Sequence, residues 1–301
     1  MLDQFEKMPR SQQIMIGICA VCVVALIVTG IVMAVVLNSG DKDNQDGSSS
    51  VVVDVEGNYD QATFTLDPDK YPAVLKATDD AGETYIAETL FIGDSNIERA
   101  INYNIISLNN GIGVTSMGIQ SVISKACVYF QGVDAPVAIP QAISMMQPRR
   151  VVLSFGTNNT VGYETDAFIA LYQKVIDAIR TAYPNTDIII NAIPPVGQNR
   201  ENQLIKIETI DAFNLALAQL AQKNSLSFVN TNEALRDASG YAKAEYVIED
   251  GLHLTEAGLN AMFSYIRGHS HIVDDARGTV SDVPTPHCRA FRRQRKLYCS
   301  T

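Results

Sequence analysis

The sequence contains little cysteine, little histidine and, outside its C-terminal end, little positive charge. Five cysteines among 301 residues are too few for a disulfide scaffold, and their spacing resembles no zinc site. The net charge is −10, and residues 277–301 alone carry six basic residues and one acid, so residues 1–276 carry about −15. So acidic a body is a poor general binder of nucleic acid, whose phosphates require a basic surface, and no nucleic acid partner is expected.

One stretch near the N-terminus lacks charge altogether. Residues 14–37 are 24 consecutive uncharged, mostly apolar positions, and a helix of that length extends about 36 Å, enough to cross a bilayer. The apolar core of a signal peptide is shorter, about 7–15 residues, and no clean small-residue cleavage site follows here. The stretch is therefore predicted to be an uncleaved transmembrane anchor.

The charges beside this anchor predict its orientation. Lys7 and Arg10 precede it, whereas the opposite flank has one basic residue, Lys42. The positive-inside rule then predicts a single-pass membrane protein, with residues 1–13 in the cytoplasm and the body outside, at the cell surface. Residues 38–50 are mostly Gly, Ser, Asp and Asn and are expected to form a flexible linker.

From about residue 84 onward, short apolar runs alternate with helical patterns. Mostly apolar strands that alternate with helices predict an α/β fold, with a parallel sheet covered on both faces, over residues 85–268. The sequence assigns no role to the extension 51–84, and residues 269–301 are predicted to be a basic, disordered tail. The predicted strands are 89–92, 105–108, 150–155, 187–190 and 226–229, and the predicted helices are 165–183, 201–223 and 255–267.

Three polar clusters stand where such a fold places a site. Gly-Asp-Ser-Asn at 93–96 follows the first predicted strand, and Gly-Thr-Asn-Asn at 156–159 follows the third. Asp-Gly-Leu-His at 250–253 comes just before a helix that Thr255 is expected to cap. Sites in parallel sheets form at the carboxyl ends of the strands, so these clusters are expected to meet.

Ser95, His253 and Asp250 are the residue types of a nucleophilic triad. A serine hydroxyl is a weak nucleophile and needs a base within hydrogen-bond reach. His253 is the only histidine outside the C-terminal region, and Asp250 lies three residues earlier, where its carboxylate would orient the imidazole. The Asn158 side-chain amide, the Ser95 N–H and the N–H of a glycine after the second strand are the expected donors to an oxyanion.

These clusters resemble the SGNH (GDSL-like) hydrolases, whose four sequence blocks can be matched in order. Phe-Ile-Gly-Asp-Ser at 91–95 resembles the nucleophile block, and Asn-Gly-Ile-Gly-Val-Thr-Ser at 110–116 resembles the glycine block. The residues at 156–159 resemble the third block, and Asp250 with His253 resembles the terminal block.

The resemblance covers residues 85–268 and implies a three-layer α/β/α fold with a flavodoxin-like parallel sheet. It also implies ester hydrolysis through an acyl-serine, without a metal or other cofactor. In the glycine block, Gly113 is preferred as the oxyanion donor because Gly-x-Thr-Ser leads into a helix as it does in the family, and Gly111 stays the alternative. The oxyanion set is then Ser95, Gly113 and Asn158.

Two positions depart from the family pattern. Asn96 stands where the family often has leucine or another residue, and this exchange is tolerated. Asn159 stands where the third block usually has aspartate. The exchange keeps the Asn158 amide, but it leaves open which contacts brace the loop around that amide. Asn96, Asn159 and Val196 are expected to line the substrate cleft.

These features together predict a membrane-anchored, extracytoplasmic serine esterase. O-acetyl esters on cell-wall or other extracellular glycans are the expected substrates, by analogy from the anchor and the acidic body. An O-acetyltransferase with the same triad and a non-catalytic glycan-binding surface module are the alternatives. His269 and His271 suggest a metal site, but without further ligands a solvated helix end is the preferred interpretation.

Overall fold

The computed structural model describes residues 59–200 and 205–278, together with Pro284 and Pro286. The predicted cytoplasmic segment, membrane anchor and linker, residues 1–50, lie outside the described residues. Within the described part, no helix is both long enough and apolar enough to cross a membrane.

A parallel sheet forms the centre of the fold. The strands in the described residues are β1 Thr89–Gly93, β2 Gly111–Gly113, β3 Ala126–Val128, β4 Val137–Ala138, β5 Arg150–Ser154, β6 Asp187–Asn191 and β7 Ser227–Val229. Five of them are parallel, in the order β2-β1-β5-β6-β7, and β3 pairs with β4 in a separate antiparallel ladder. Without that ladder the order reads 2-1-3-4-5, the flavodoxin-like order of doubly wound sheets. The predicted α/β class with a parallel sheet is confirmed.

Helices connect the strands. The α-helices of the described residues are α1 Gly82–Ala87, α2 Ser95–Asn102, α3 Ile139–Met146, α4 Thr165–Ala182, α5 Ile207–Lys223, α6 Asn232–Leu235 and α7 Glu256–Gly268. The longest, α4, buries Phe168, Tyr172, Val175 and Ile179, whose spacing forms one apolar face and explains why the sequence predicts it. Helix α5 begins at Ile207, later than the predicted residue 201.

The sheet buries both of its faces. In β1, Leu90 and Ile92 belong to one hydrophobic cluster and Phe91 belongs to the other, as the alternation of strand side chains requires. The first cluster includes apolar residues of α3, α4 and α5, and the second includes those of α2 and α7. Helices therefore cover both sides of the sheet, which is why its strands are nearly continuous apolar runs.

The strand predicted at 105–108 is wrong. That stretch is a loop in which Ile106 is buried, and the chain turns just before it at Asn104, whose φ is 59°. The second strand is β2, which has a single apolar side chain, Ile112, between two glycines. Hydrophobicity indicated the wrong segment because the real strand is short and contains two glycines. These glycines allow the strand to approach α2 closely, but they add no apolar side chains to the pattern.

The extension before the predicted domain completes one edge of the sheet. Phe64 is fully buried in the first cluster. The N–H of Leu75 donates to the carbonyl of Phe228 at 2.9 Å, and the N–H of Phe228 donates to the carbonyl of Ala73 at 2.7 Å. The described part of the extension thus adds a short parallel bridge beside β7.

The first residues of the predicted tail also pack against the body. Arg149 Nη2 donates to the carbonyl of Val273 at 2.7 Å, and the N–H of His271 donates to the Tyr85 hydroxyl at 3.0 Å. Residues 271–278 therefore differ from the disordered tail that was predicted from residue 269 onward. Apart from Pro284 and Pro286, the rest of that tail lies outside the described residues.

Candidate active site

Three neighbouring strands end at the same level of the sheet. β1 lies between β2 and β5, and its last residue, Gly93, pairs with Gly113 on one side and with Ser154 on the other. Parallel strands point the same way, so the loops that follow them open at one edge. That edge receives Ser95 after β1, Gly113 at the end of β2 and Asn158 after β5.

Ser95 is the first residue of α2. Asp94 caps this helix, because its Oδ1 accepts the Asn96 N–H at 3.0 Å. Asp94 and Asn96 are buried, whereas Ser95 between them is half-buried. The turn therefore leaves the serine as the accessible side chain of this triplet.

Asp250 binds His253 through both the ring and the main chain. Its Oδ2 lies 2.6 Å from His253 Nδ1, and its Oδ1 accepts the N–H groups of His253 at 3.0 Å and Leu252 at 2.8 Å. Burial alone would raise the pKa of Asp250, but these hydrogen bonds together hold that pKa below its usual value. An ionised carboxylate at Nδ1 favours a proton there, which leaves Nε2 free to accept from a serine hydroxyl.

The segment after β6 supports the His253 turn. The Gly197 N–H donates to the Gly251 carbonyl at 2.8 Å, and Asn199 Nδ2 donates to the Glu249 carbonyl at 2.9 Å. Gly251 has a φ of +64°, and a Cβ there would lie 2.2 Å from Asn199 Oδ1. The left-handed backbone conformation therefore favours glycine at this position.

Hydrogen bonds between neighbours of Ser95 and His253 bring the two turns together. Asn96 Oδ1 accepts the Leu254 N–H at 2.9 Å, and Arg99 Nε donates to the Leu254 carbonyl at 2.9 Å. In the described structure Ser95 Oγ makes no hydrogen bond with His253. Such catalytic bonds often tighten only when substrate binds, so the arrangement suits a resting enzyme.

The Asn158 amide points its nitrogen towards the Ser95 turn. Asn158 lies in the 3₁₀ helix Thr157–Asn159 after β5, and its Nδ2 donates to Asp94 Oδ2 and to the Met117 carbonyl, each at 3.3 Å. Both partners are acceptors, so they fix which end of the amide is the nitrogen. The predicted oxyanion donor is thus held beside the predicted nucleophile.

The structure separates the two candidate glycines. Gly113 ends β2 beside Gly93, whereas Gly111 lies two residues further from the site edge. The Val114 N–H donates to the Gly93 carbonyl at 3.1 Å, and the alternation of a parallel ladder turns the N–H groups of both Gly111 and Gly113 away from β1, so their distance from the site edge is what distinguishes them. A Cβ on Gly113 would lie 2.1 Å from the backbone nitrogen of Glu98 in α2. These observations favour Gly113.

Asn159 braces the loop that carries Asn158. Its side chain is fully buried, its Oδ1 accepts the Ile119 N–H at 3.0 Å, and its Nδ2 donates to Gln120 Oε1 at 2.9 Å. The bracing questioned by the exchange of aspartate for asparagine is therefore present. Gln120 supplies the acceptor that an amide needs and a carboxylate would not.

The three residues expected to line the substrate cleft are buried. Asn96 is 5%, Asn159 0% and Val196 1% exposed. Asn96 binds the main chain of Leu254, Asn159 binds the segment at Ile119, and Val196 packs in the first hydrophobic cluster. The structure gives all three side chains supporting contacts within the protein in place of the expected contact with substrate.

The two histidines that suggested a metal site make other contacts in the structure. His269 stacks on Tyr265 with ring centroids 3.7 Å apart, and His271 Nδ1 lies 3.0 Å from Ser227 Oγ. Across residues 59–200 and 205–278, no three His, Cys, Asp or Glu side chains are grouped so as to hold a metal ion.

Sequence reasoning missed Asp94 as a residue of the site. Burial raises the pKa of its carboxyl to about 6, an effect that the Asn96 N–H and His253 partly oppose. The signal was available, since an acid directly before a helix start is a capping residue and its neighbour is the predicted nucleophile. Its contact with Asn158 spans 64 positions of sequence and could not be read from the local pattern.

The sequence matches a family that fits this geometry. Residues 121–261 match the model of the GDSL-like lipase/acylhydrolase family. The match includes Asn158, Asp250 and His253 and begins after Ser95 and Gly113. The predicted similarity to the SGNH (GDSL-like) hydrolases is confirmed, and this family implies a hydrolase that acts on esters.

Solved structures with similar chains include esterases and lipases. A candidate platelet activating factor from Streptococcus pneumonia is 24% identical, with 60% of this chain and 82% of that chain covered and a TM-score of 0.48. A GDSL-like lipase from Bacteroides thetaiotaomicron is 15% identical, with 63% and 90% covered and a TM-score of 0.45. A carbohydrate esterase family 3 protein from Talaromyces cellulolyticus is 17% identical, with 60% and 93% covered and a TM-score of 0.41. No curated protein matches the chain.

Replacing each glycine of the glycine block by alanine distinguishes their roles. Gly113→Ala is expected to lower kcat for a p-nitrophenyl ester by about 10²-fold or more. The new methyl group would collide with the backbone of α2, and the resulting shift of the chain would move the Gly113 N–H out of place as an oxyanion donor. Gly111→Ala meets only the flexible ends of Ile101 and Ile106, at 2.9–3.0 Å, and should keep most of the activity. Equal losses in the two variants would contradict the assignment of Gly113.

The raised pKa of Asp94 predicts a pH dependence of stability. Folding raises this pKa from its ordinary value of 3.8 to about 6. The folded state therefore binds the proton more tightly, and the stabilisation, fully present below about pH 4, is lost as the pH rises through about 6. The loss amounts to roughly 3 kcal/mol. Asp94→Asn should lack this pH-dependent contribution to the free energy of unfolding, although the variant also differs from the parent in overall stability.

Urea unfolding of both proteins between about pH 4 and pH 7 measures this component. His253 and Tyr172 are the titratable groups that interact with Asp94, and both are unchanged in the variant. The free energy of unfolding of the parent should fall relative to that of Asp94→Asn over this range. Parallel pH profiles would show that Asp94 ionises normally.

Proposed function

We propose that this domain is a serine esterase in which Ser95, His253 and Asp250 form the catalytic triad. The contact of 2.6 Å between Asp250 Oδ2 and His253 Nδ1 is the observation that carries the proposal. It lies in a turn that is hydrogen-bonded to the helix beginning at Ser95. The proposal gives the free Nε2 of His253 the role of general base.

The reaction follows from these roles. Ser95 Oγ attacks the ester carbonyl carbon while His253 Nε2 takes the hydroxyl proton, so a new C–O bond forms and the carbonyl oxygen becomes an oxyanion. The bond to the alcohol then breaks, and the alcohol leaves with the proton from His253. Water attacks the acyl-serine with His253 again acting as base, which releases the carboxylic acid and restores Ser95.

The proposed oxyanion hole contains three donors. The Ser95 N–H comes from the start of α2, the Gly113 N–H from the end of β2, and the Asn158 amide from the loop after β5. Each such donor typically contributes about 10²–10³ in rate when it is fixed before the charge develops.

The proposal extends to the substrate and the cellular location. An acetyl ester on a cell-wall or other extracellular glycan is the proposed substrate, and residues 14–37 are proposed to anchor the chain with its domain on the outer side. The charge-free run of 24 residues and the acidic body support this view. Faster turnover of p-nitrophenyl acetate than of p-nitrophenyl octanoate would favour the acetyl assignment, and the reverse would contradict it.

Two substitutions test the triad. Ser95→Ala should abolish turnover of p-nitrophenyl acetate and labelling by a fluorophosphonate probe, because the acyl acceptor is removed. Asp250→Asn should keep some labelling but lower kcat by about 10²–10⁴-fold, since the imidazole loses its charged partner. Ser239→Ala changes an exposed serine outside the site and serves as the control. Turnover by Ser95→Ala at the parental rate would refute the mechanism.

Membrane fractionation tests the anchor. The full chain should sediment with membranes and resist extraction by alkaline carbonate, because a helix of about 20 apolar residues buries its side chains in lipid. A chain without residues 14–37 should appear in the soluble fraction. A full chain that is released by carbonate would contradict a transmembrane anchor.

A further inference from the structure

Asp94 carries two contacts with different consequences. Its Oδ1 accepts the Asn96 N–H at 3.0 Å, and its Oδ2 accepts Asn158 Nδ2 at 3.3 Å. The side chain is 3% exposed, so both contacts form away from bulk water. One carboxylate therefore joins the helix that begins at Ser95 to the loop of the proposed oxyanion donor.

The orientation of the Asn158 amide depends on its acceptors. The oxygen and nitrogen ends of an asparagine amide are nearly equal in size, so hydrogen-bond partners decide which way it turns. Its two partners are the Asp94 carboxylate and the Met117 carbonyl, each at 3.3 Å. A charged acceptor binds an N–H more strongly than a neutral carbonyl does, so Asp94 is the stronger determinant.

We propose that Asp94 is a positioning residue that keeps the Asn158 amide nitrogen, rather than its oxygen, on the side of the reacting carbonyl. Both N–H groups of this nitrogen are engaged in the structure, so the one bonded to the neutral Met117 carbonyl is the one that turns to the oxyanion while the bond to Asp94 persists. The inference rests on the proposed esterase function, since it assigns a role within that oxyanion hole. Asp94 does not touch substrate and exchanges no proton with it. It acts through Asn158.

The two oxygens of Asp94 make a conservative exchange informative. In Asp94→Asn, one end of the new amide is an oxygen and the other is an NH₂ group. The buried Asn96 N–H requires the oxygen, since an unpaired buried donor is costly. The NH₂ group then faces Asn158, whose amide must turn its oxygen towards it, so the nitrogen no longer serves the oxyanion.

Asp94→Ser separates this effect from helix capping. Serine is a good N-cap residue, so the start of α2 is retained. The Asn158 amide loses its acceptor but meets no competing donor. Activity should therefore fall less than in Asp94→Asn.

The test compares kcat and KM for p-nitrophenyl acetate in the full chain and five variants. These are Asp94→Asn, Asp94→Ser, Asn158→Ala, the double variant Asp94→Asn with Asn158→Ala, and the control Asp237→Asn. Asp237 caps a turn outside the site through the Ser239 N–H at 2.8 Å, so the control makes the same chemical change there. Asp94→Asn should lower kcat by about 10²-fold or more, with KM within about threefold.

The double variant gives the deciding readout. If Asp94 acts through Asn158, the double variant should be no slower than Asn158→Ala, within about threefold. The inference would be overturned if the losses in kcat of the two single variants multiplied in the double variant. It would also be overturned if Asp94→Asn retained more than about a third of the parental kcat. If Asp94→Asn does not fold, the same cycle with Asp94→Ser decides.

The inference and the proposed function fail in different ways. A parent that does not turn over the ester, or a Ser95→Ala variant as fast as the parent, refutes the esterase and with it the role of Asp94. A parent that works through Ser95 but shows multiplicative losses refutes the role of Asp94 alone.

Discussion

The shared register of β2, β1 and β5 is the constraint on which the site depends. Gly93 pairs with Gly113 and with Ser154, so three loops start from one level of the sheet. A slip of one residue would move a strand end by about 3.3 Å and turn its side chains to the opposite face. The core resists such a slip, because neighbouring residues of β1 belong to separate hydrophobic clusters.

Register alone does not hold the loops, and three asparagines complete the arrangement. Asn96 binds the main chain of Leu254, Asn159 binds that of Ile119, and Asn158 binds that of Met117. Each contact joins segments that are between 40 and 158 positions apart in sequence. Amides suit this work because each offers both a donor and an acceptor without a charge to bury. The loops at this edge are thus fixed before substrate arrives.

Sequence patterns predicted the long elements better than the short ones. β1, β5 and β6 are five-residue strands with three consecutive apolar residues at their centres, and α4 has a regular apolar face, so these patterns located them. The three-residue strand β2 was missed because close backbone approach, rather than hydrophobicity, selects its glycines. The motif positions indicated which residues lie near the site but not which way each side chain points. Asn96 and Asn159 are therefore supports, and Asp94 was overlooked, because tertiary contacts alone decide those directions.

The site places two aspartates in environments that shift their pKa values in opposite directions. Asp250 accepts main-chain N–H groups and the His253 ring, and these contacts hold its pKa low. Asp94 is more deeply buried and has fewer donors, so its pKa rises to about 6. Such divergence is how one site assigns different roles to the same residue type. The ionised Asp250 suits the histidine, whose imidazolium it stabilises when the proton transfers. Asp94 suits the neutral Asn158 amide, which it only orients. Because Asn158 gains no charge during the reaction, Asp94 has no new charge to compensate.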